Sequence, residues 1–174
     1  MAGVLAVVSG VVGIAMVATL IAMYGGFALG PRVRDTALKL GSINDALAIV
    51  TYGLVLPVIP TMYTLVREAG AVRSLLLAVV GAVGIVVTMV LQWLLVTGAL
   101  SFDQQIGMVT LSLLAVGVWM VGTGYLARRA GVLPNGLRNG LLGAFYFGFP
   151  IWAIDVGRAL RRAGRPDSDP RDPG

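Results

Sequence analysis

The chain has 174 residues, of which 57% are hydrophobic and only 12% charged, and its mean hydropathy is +0.90. It contains no cysteine and no histidine, which excludes disulfides, thiolate or imidazole metal sites, and catalysis by either side chain. The net charge of +5 comes from basic residues that adjoin apolar runs. Positive-inside bias and anionic lipid headgroups explain such residues better than nucleic-acid binding does.

Five stretches of the chain contain no charged residue and predict membrane spans. They are residues 1–31, 46–66, 74–102, 104–127 and 139–154. A hydrocarbon core about 30 Å thick needs about 20 apolar residues of helix, which four stretches supply and the fifth nearly does. We therefore predict an all-α, polytopic transmembrane helical bundle of about five spans, formed by residues 1–160. Such a multi-pass protein belongs in a cell membrane, and we expect the plasma membrane of a bacterium.

The first span is predicted over residues 4–28. Small residues recur in it at four-residue spacing, which lets another helix approach its backbone closely. They are Ala6, Ser9, Gly10 and Gly13. The charged segment that follows, residues 30–45, is either a short helix in the membrane interface or an irregular loop.

The second span is predicted over residues 44–66, because Ser42 and Asp45 have the spacing of a capping box. Pro57 and Pro60 lie within this span. Each proline leaves an earlier carbonyl group without its usual hydrogen-bond donor, so we expect a kink.

The third span is predicted over residues 74–100 and carries a stripe of small and polar residues at helical spacing. Thr88 and Gln92 are its polar members, in line with Gly81 and Gly84. The usual meaning of such a stripe is an interhelical hydrogen bond. The alternative is a ligand site between helices.

The fourth span is predicted over residues 102–126, where Ser101 and Gln104 again have capping-box spacing. The fifth is predicted over residues 141–160. The remaining tail, residues 161–174, is rich in Arg, Asp and Pro and cannot bury a core, so we expect it to be disordered.

With five spans, the N-terminus and the tail lie on opposite faces of the membrane. Five basic residues then fall on the N-terminal face and eight on the other, which favours a cytoplasmic tail. The turn between the third and fourth spans has no basic residue and would also be cytoplasmic, which favours the opposite orientation. The count therefore leaves both orientations open.

The order of segments also suggests a family. Asn44-Asp45-Ala-Leu opens a span with tyrosine and proline, and Gly124-Tyr-Leu-Ala-Arg-Arg-Ala-Gly-Val-Leu-Pro134 precedes a glycine-rich span. Over residues 41–155 this resembles an uncharacterised family of small bacterial integral membrane proteins, a domain of unknown function. The resemblance implies a cytoplasmic Leu-Pro turn, with the N-terminus inside and the tail outside, and it implies no activity.

Several polar or aromatic residues in the spans have two interpretations. Asp155 either accepts a proton or a cation, or pairs with Arg158 three residues later; a carboxylate at the bilayer centre costs about 2.5–3.5 kcal/mol. Tyr52 and Tyr63 flank the prolines, and the kinked helix either lines a cavity or merely anchors its tyrosines at the interfaces. Trp119 either stacks on a flat ligand or packs inside the bundle.

We therefore predict a non-enzymatic membrane protein that binds a partner, a lipid or a small molecule through its helix bundle. The alternative is a transporter or channel subunit that acts as an oligomer, with Asp155 and the kinked second helix lining the pathway. Candidate ligand or pathway residues are Asp155, Gln92, Thr88, Tyr52, Tyr63, Pro57, Pro60 and Trp119. We expect no catalytic residue, cofactor or metal. The expected partners are the lipid bilayer and either a second copy or another membrane protein, without nucleic acid.

Overall fold

A computed structural model describes residues 1–30, 33–133, 135–145 and 147–163. Within these ranges the chain is helical and forms no strand, which confirms the predicted all-α bundle. The helices are α1 (Ala2–Ala28), α2 (Arg34–Val55), α3 (Val58–Val66), α4 (Ala71–Val96), α5 (Phe102–Arg129), α6 (Gly136–Ala144) and α7 (Phe149–Ala163), with a 3₁₀ turn at Arg67–Ala69.

Four helical segments of the described chain are long and apolar enough to cross a membrane. They are α1, the run from α2 through the 3₁₀ turn, α4 and α5. Their outer surfaces are apolar, and on α4 the valine and leucine side chains at positions 76, 79, 83 and 90 are between 52% and 61% exposed. A continuous apolar surface of this kind suits lipid and not water. The chain is therefore an integral membrane protein.

The second span begins earlier than predicted, because α2 starts at Arg34 and not at residue 44. Ser42 does not cap a helix; it lies inside α2, where its hydroxyl donates to the carbonyl oxygen of Leu38 at 3.4 Å. The early turns of α2 pack on α1, where a Cβ on Gly26 would lie 3.0 Å from the Cβ of Ala37. From residue 34 onward, the charged segment is thus part of a long helix and not a separate interfacial helix or loop.

The span predicted to kink at its prolines is interrupted between α2 and α3, at Leu56 and Pro57. Pro57 is the N-cap residue of α3, and Pro60 lies in the first turn of α3, where a helix needs no backbone donor. The side chains of both prolines are exposed. At this interruption both prolines therefore face the outside of the bundle.

α4 and α5 form an antiparallel helical hairpin across an uncharged turn, residues 97–101. The predicted capping box is confirmed at its second helix. The Ser101 hydroxyl accepts a hydrogen bond from the Gln104 backbone N–H, and Gln104 Oε1 accepts one from the Ser101 N–H at 3.0 Å. The start of α5 is therefore fixed by local chemistry that is visible in the sequence.

The fifth predicted span, residues 141–160, is two helices in the structure. α6 ends at Ala144, and Phe145 adopts an extended conformation (φ −88°, ψ 136°) before α7 starts at Phe149. Pro150 cannot donate a backbone hydrogen bond. A Cβ on Gly148 would run into the carbonyl group of Leu142, so the turn requires glycine. Local backbone chemistry thus divides a segment that is apolar enough to look continuous.

The first arm of this broken segment, α6, packs antiparallel to α5 through glycines. Gly136 meets Gly124 near the end of α5, and a Cβ on Gly140 would lie 2.5 Å from the carbonyl oxygen of Met120. Farther along, a Cβ on Gly117 would lie 3.4 Å from the Cβ of Ala144. α6 therefore starts at the level of Gly124 and reaches the level of Gly117, which lies about 18 Å along the helix axis from the C-terminal end of α5.

The second arm, α7, returns along α1. A Cβ on Gly13 would lie 3.2 Å from the Pro150 ring, whereas a Cβ on Gly3 would lie 2.8 Å from the carbonyl oxygen of Gly157. The turn between the arms is thus level with Gly13, about 16 Å from the start of α1. This depth is near the middle of a hydrocarbon core about 30 Å thick. We call α6, α7 and the turn that joins them the re-entrant hairpin.

The re-entrant hairpin enters and leaves at one end of the bundle, so Arg161 lies beside Gly3. This corrects the expected arrangement, in which five spans put the N-terminus and the tail on opposite faces. Of the tail predicted to be disordered, residues 161–163 belong to α7. Residues 164–174 and Pro134 of the predicted Leu-Pro turn lie outside the described residues.

Candidate functional site

Tyr52 lies where the tip of the re-entrant hairpin meets α2. Its side chain is 4% exposed, and its ring contacts Phe149 edge-on with a centroid distance of 5.6 Å. A cavity of about 50 Å³ lies beside it, lined also by Gly117, Met120 and Gly143. Small-molecule pockets measure about 300–1,000 Å³. The cavity therefore has room for a few water molecules but not for a ligand of ordinary size.

The other residues predicted to line a cavity from the second span lie elsewhere. Pro57 and Pro60 are exposed on the outer surface, and Tyr63 is half-buried near the end of α3. None of these three residues lines the cavity beside Tyr52. The structure thus brings Tyr52 to the hairpin tip and leaves the kink and Tyr63 away from it.

Thr88 and Gln92 join α4 to α5. The Thr88 hydroxyl lies 2.8 Å from the hydroxyl of Ser112, and Gln105 Nε2 donates to Gln92 Oε1 at 3.0 Å. Gln105 is only 2% exposed. Both predicted polar residues therefore make interhelical hydrogen bonds, which is the usual use of such a stripe.

Trp119 packs at the centre of the bundle and is 1% exposed. Its ring contacts Trp152 of α7 with a centroid distance of 5.3 Å, and Trp152 in turn contacts Phe149 at 5.8 Å. Gly81 provides the space on α4, because a Cβ there would lie 2.7 Å from Cδ2 of the Trp119 ring and closer still to its Cγ. We call Trp119, Trp152 and Phe149 the aromatic cluster; its contacts pack the re-entrant hairpin against the α4–α5 hairpin.

Asp155 lies on α7 and has two partners. Its Oδ1 atom is 3.9 Å from Nη1 of Arg158, the pairing expected from their spacing. Asn139 of α6 donates from Nδ2 to the other carboxylate oxygen at 3.2 Å. Asn139 is 6% exposed, and its Oδ1 has no hydrogen-bond partner among the described residues. Sequence reasoning missed Asn139, because only the turn at residues 145–148 brings it to Asp155.

Asp45 is a carboxylate well inside the second spanning segment, the run from α2 through the 3₁₀ turn. The sequence suggested a position at the start of a helix, but α2 begins eleven residues earlier, and Asp45 is half-buried inside it. Acidic residues inside spans are costly and are commonly functional. If Arg34 to Leu40 had been predicted as helix, the sequence would have placed Asp45 inside a span and made it a candidate site residue.

The larger opening is an apolar groove on the outside of α5. It measures about 760 Å³ and lies between α4 and the hairpin tip, with Leu77 on one side and Phe145 on the other. Thr110 is the only polar side chain among the described residues that line it, and its hydroxyl donates to the Ile106 carbonyl oxygen at 2.7 Å. The groove is therefore large enough for a ligand and chemically suited only to an apolar one.

Comparison with family models, curated proteins and solved structures finds no match to this chain. The resemblance to a bacterial membrane family therefore stays a prediction. The groove and the polar contacts of the spans are what the structure itself offers for an argument about function.

Proposed function

We propose that this protein is a non-enzymatic membrane protein of the bacterial plasma membrane that binds a lipid acyl chain in the groove beside α5. The observation that carries the proposal is the groove itself, about 760 Å³ in volume and lined almost entirely by apolar side chains. Its position on the outer surface opens it to the bilayer. A lipid chain therefore reaches it without crossing the protein.

The length of the groove favours an extended chain. Its lining on α5 runs from Thr110 to Gly122, about 18 Å along the helix. One leaflet of the hydrocarbon core is about 15 Å thick. Leu114, Val118 and Phe145 are 62%, 57% and 70% exposed and form the walls. A single acyl chain has the length and the polarity that these walls accommodate.

The described lining of the groove provides apolar side chains for binding and no nucleophile or general base for catalysis. Its one hydroxyl group, on Thr110, already donates within α5. The chain has no histidine or cysteine, the residues that most often supply nucleophiles and general bases. Binding without chemistry is the function that this composition supports.

Native mass spectrometry of the gently solubilised protein tests the proposal. We expect retained phospholipid on the wild-type chain, and a several-fold loss in Leu114→Trp, which fills the groove. Leu111→Trp is the matched control, because Leu111 is 70% exposed on the same helix but does not line the groove. Equal retention by both variants, or a lipid-free dimer with its groove covered by a second copy, would overturn the proposal.

A transporter or channel subunit acting as an oligomer is the second candidate. Non-helical backbone at membrane depth, as at the tip of the re-entrant hairpin, is found where it is buried in protein or lines a pathway. Asp45 and Asp155 are the carboxylates available for such a pathway. Flux into proteoliposomes tests this role, with Asp45→Asn and Asp155→Asn as variants and Asp35→Asn as the control. Flux that is unchanged by both variants would reject a proton relay through these residues.

A further inference from the structure

One end of the bundle carries most of the charge, and we call it the basic face. It comprises Met1, the 3₁₀ turn, the end of α5 and both outer ends of the re-entrant hairpin. Its basic residues are all exposed, namely Arg67, Arg73, Arg128, Arg129, Arg138, Arg158, Arg161 and Arg162. Within the described chain, the acidic residues that lie with these eight arginines are Glu68 and Asp155.

The opposite face is nearly neutral in the described chain. It carries Arg34 and Lys39 against Asp35 and Asp103, and its second turn, residues 97–101, has no charge. The asymmetry depends on the re-entrant hairpin. A continuous fifth span would move Arg158, Arg161 and Arg162 to the other face and divide the positive charge between the two.

The arginines of the basic face are available for external anions. Among the described residues, Arg158 alone of the eight has a carboxylate oxygen within 4.0 Å. A guanidinium group binds phosphate oxygens through two parallel hydrogen bonds. Arginines clustered beside apolar spans lie at the depth of the lipid headgroups. The geometry is therefore that of a surface for phosphate groups held at the membrane interface.

We propose that the basic face is the cytoplasmic face and that its arginines bind the headgroups of anionic phospholipids in that leaflet. Cytoplasmic ends of membrane proteins carry an excess of Lys and Arg, and the cytoplasmic leaflet is the one with anionic surface charge. Each basic residue near such a surface strengthens binding about fivefold. The proposal does not depend on the acyl-chain groove, because the two surfaces share no residue.

The absence of native cysteine makes the orientation directly measurable. Glu68→Cys and Arg162→Cys place single thiols on the basic face, and Ala99→Cys places one on the opposite face; all three positions are exposed. In intact cells, a membrane-impermeant maleimide should label only Ala99→Cys, and the other two should react after permeabilisation. The reverse pattern would overturn the cytoplasmic assignment. Labelling of residues 68 and 162 from opposite sides would overturn the re-entrant geometry.

Headgroup binding is tested by exchanging phosphatidylglycerol for phosphatidylcholine in nanodiscs and counting retained lipids by native mass spectrometry. Wild-type protein should retain phosphatidylglycerol preferentially. Arg128→Gln combined with Arg129→Gln should weaken this binding about 30-fold. Arg34→Gln combined with Lys39→Gln removes the same charge from the opposite face and should change it little. Equal losses in the two double variants, or no preference in the wild type, would overturn headgroup binding.

Discussion

The α4–α5 hairpin and the re-entrant hairpin are both antiparallel helix pairs, yet one crosses the bilayer and the other turns back halfway. α4 and α5 are 26 and 28 residues long, whereas α6 and α7 are 9 and 15. Glycines and amide side chains make the close contacts in both. The difference lies in the turn, which is uncharged and at the membrane edge in one pair and aromatic and mid-membrane in the other.

This difference shows where each hairpin obtains its stability. Each helix of the α4–α5 pair satisfies its own backbone across the whole core. The re-entrant hairpin exposes two helix ends at mid-depth and depends on neighbouring α1, α2 and α5 to surround them. We therefore expect substitutions at the packing contacts of the re-entrant hairpin to lower the free energy of unfolding more than similar substitutions on the α4–α5 pair.

The largest effect is expected for Trp152→Ala, which removes the side chain that joins the hairpin tip to Trp119. Trp152 is 2% exposed, and truncation of a buried tryptophan lowers the free energy of unfolding by about 3–5 kcal/mol. Trp93→Ala is the control, since Trp93 on α4 is 60% exposed. Unfolding in mixed detergent micelles measures both. Equal stability of the two variants would contradict the central position of the aromatic cluster.

The next effect is expected for Gly140→Ala at the contact between α5 and α6. The added Cβ would lie 3.1 Å from the Cα of Val121 and closer still to the Met120 carbonyl oxygen, and overpacking of this kind costs about 1–3 kcal/mol. Gly107→Ala is the control, because nothing lies within 4 Å of a Cβ there. The control should be as stable as the wild type or slightly more so. A stable Gly140→Ala protein would mean that the arm does not pack this closely.

A third, smaller effect separates the polar contacts of the two hairpins. Gln105→Ala removes the bond to Gln92, and such interhelical bonds are worth about 0.6–2 kcal/mol. Asn139→Ala should cost less, because it also removes a buried Oδ1 that has no partner in the described chain. A double-mutant cycle of Gln92 with Gln105 gives the pair energy directly. A greater cost at Asn139 would reverse this order and identify the inter-arm bond as the stronger one.

The smallest effect is expected for Arg158→Gln. The guanidinium of Arg158 is 3.9 Å from Asp155 and largely exposed, and such pairs contribute about 0–1 kcal/mol. The loss should shrink further at high salt, because ions screen an exposed pair. Unfolding at low and high salt measures it. A loss above 2 kcal/mol that persists in salt would show that Arg158 does more than pair with Asp155.

Much of this fold could be predicted from the sequence, for a physical reason. Charges are expensive in hydrocarbon, so uncharged runs mark the four full spans. The spacing of Thr88 and Gln92 with the glycines of α4 also predicted a close helix contact. Hydropathy did not predict the break in the fifth segment, because it depends on side-chain polarity and not on backbone geometry. Gly148 and Pro150 are residues typical of a turn, but residues 141–160 were predicted as one continuous span.

The candidate site was harder to predict. Asn139 and Asp155 are sixteen residues apart and meet only because the hairpin folds back. The groove beside α5 is lined by ordinary aliphatic residues that have no distinctive spacing. Its shape depends on where Phe145 ends up, which depends on the same turn. A site that is lined by common residues and shaped by one turn has no motif by which the sequence could predict it.

The halfway depth of the re-entrant hairpin has a consequence for how the protein is made. Since α6 begins and α7 ends at the face that holds Met1, neither arm has to cross the bilayer. Its short helices can follow once α1 to α5 have provided walls for them to contact. With the basic face in the cytoplasm, as proposed above, insertion of the described helices requires translocation of the connection between α1 and α2 and of the uncharged turn between α4 and α5. The last two helices then reach their positions by packing laterally against helices that already span the bilayer.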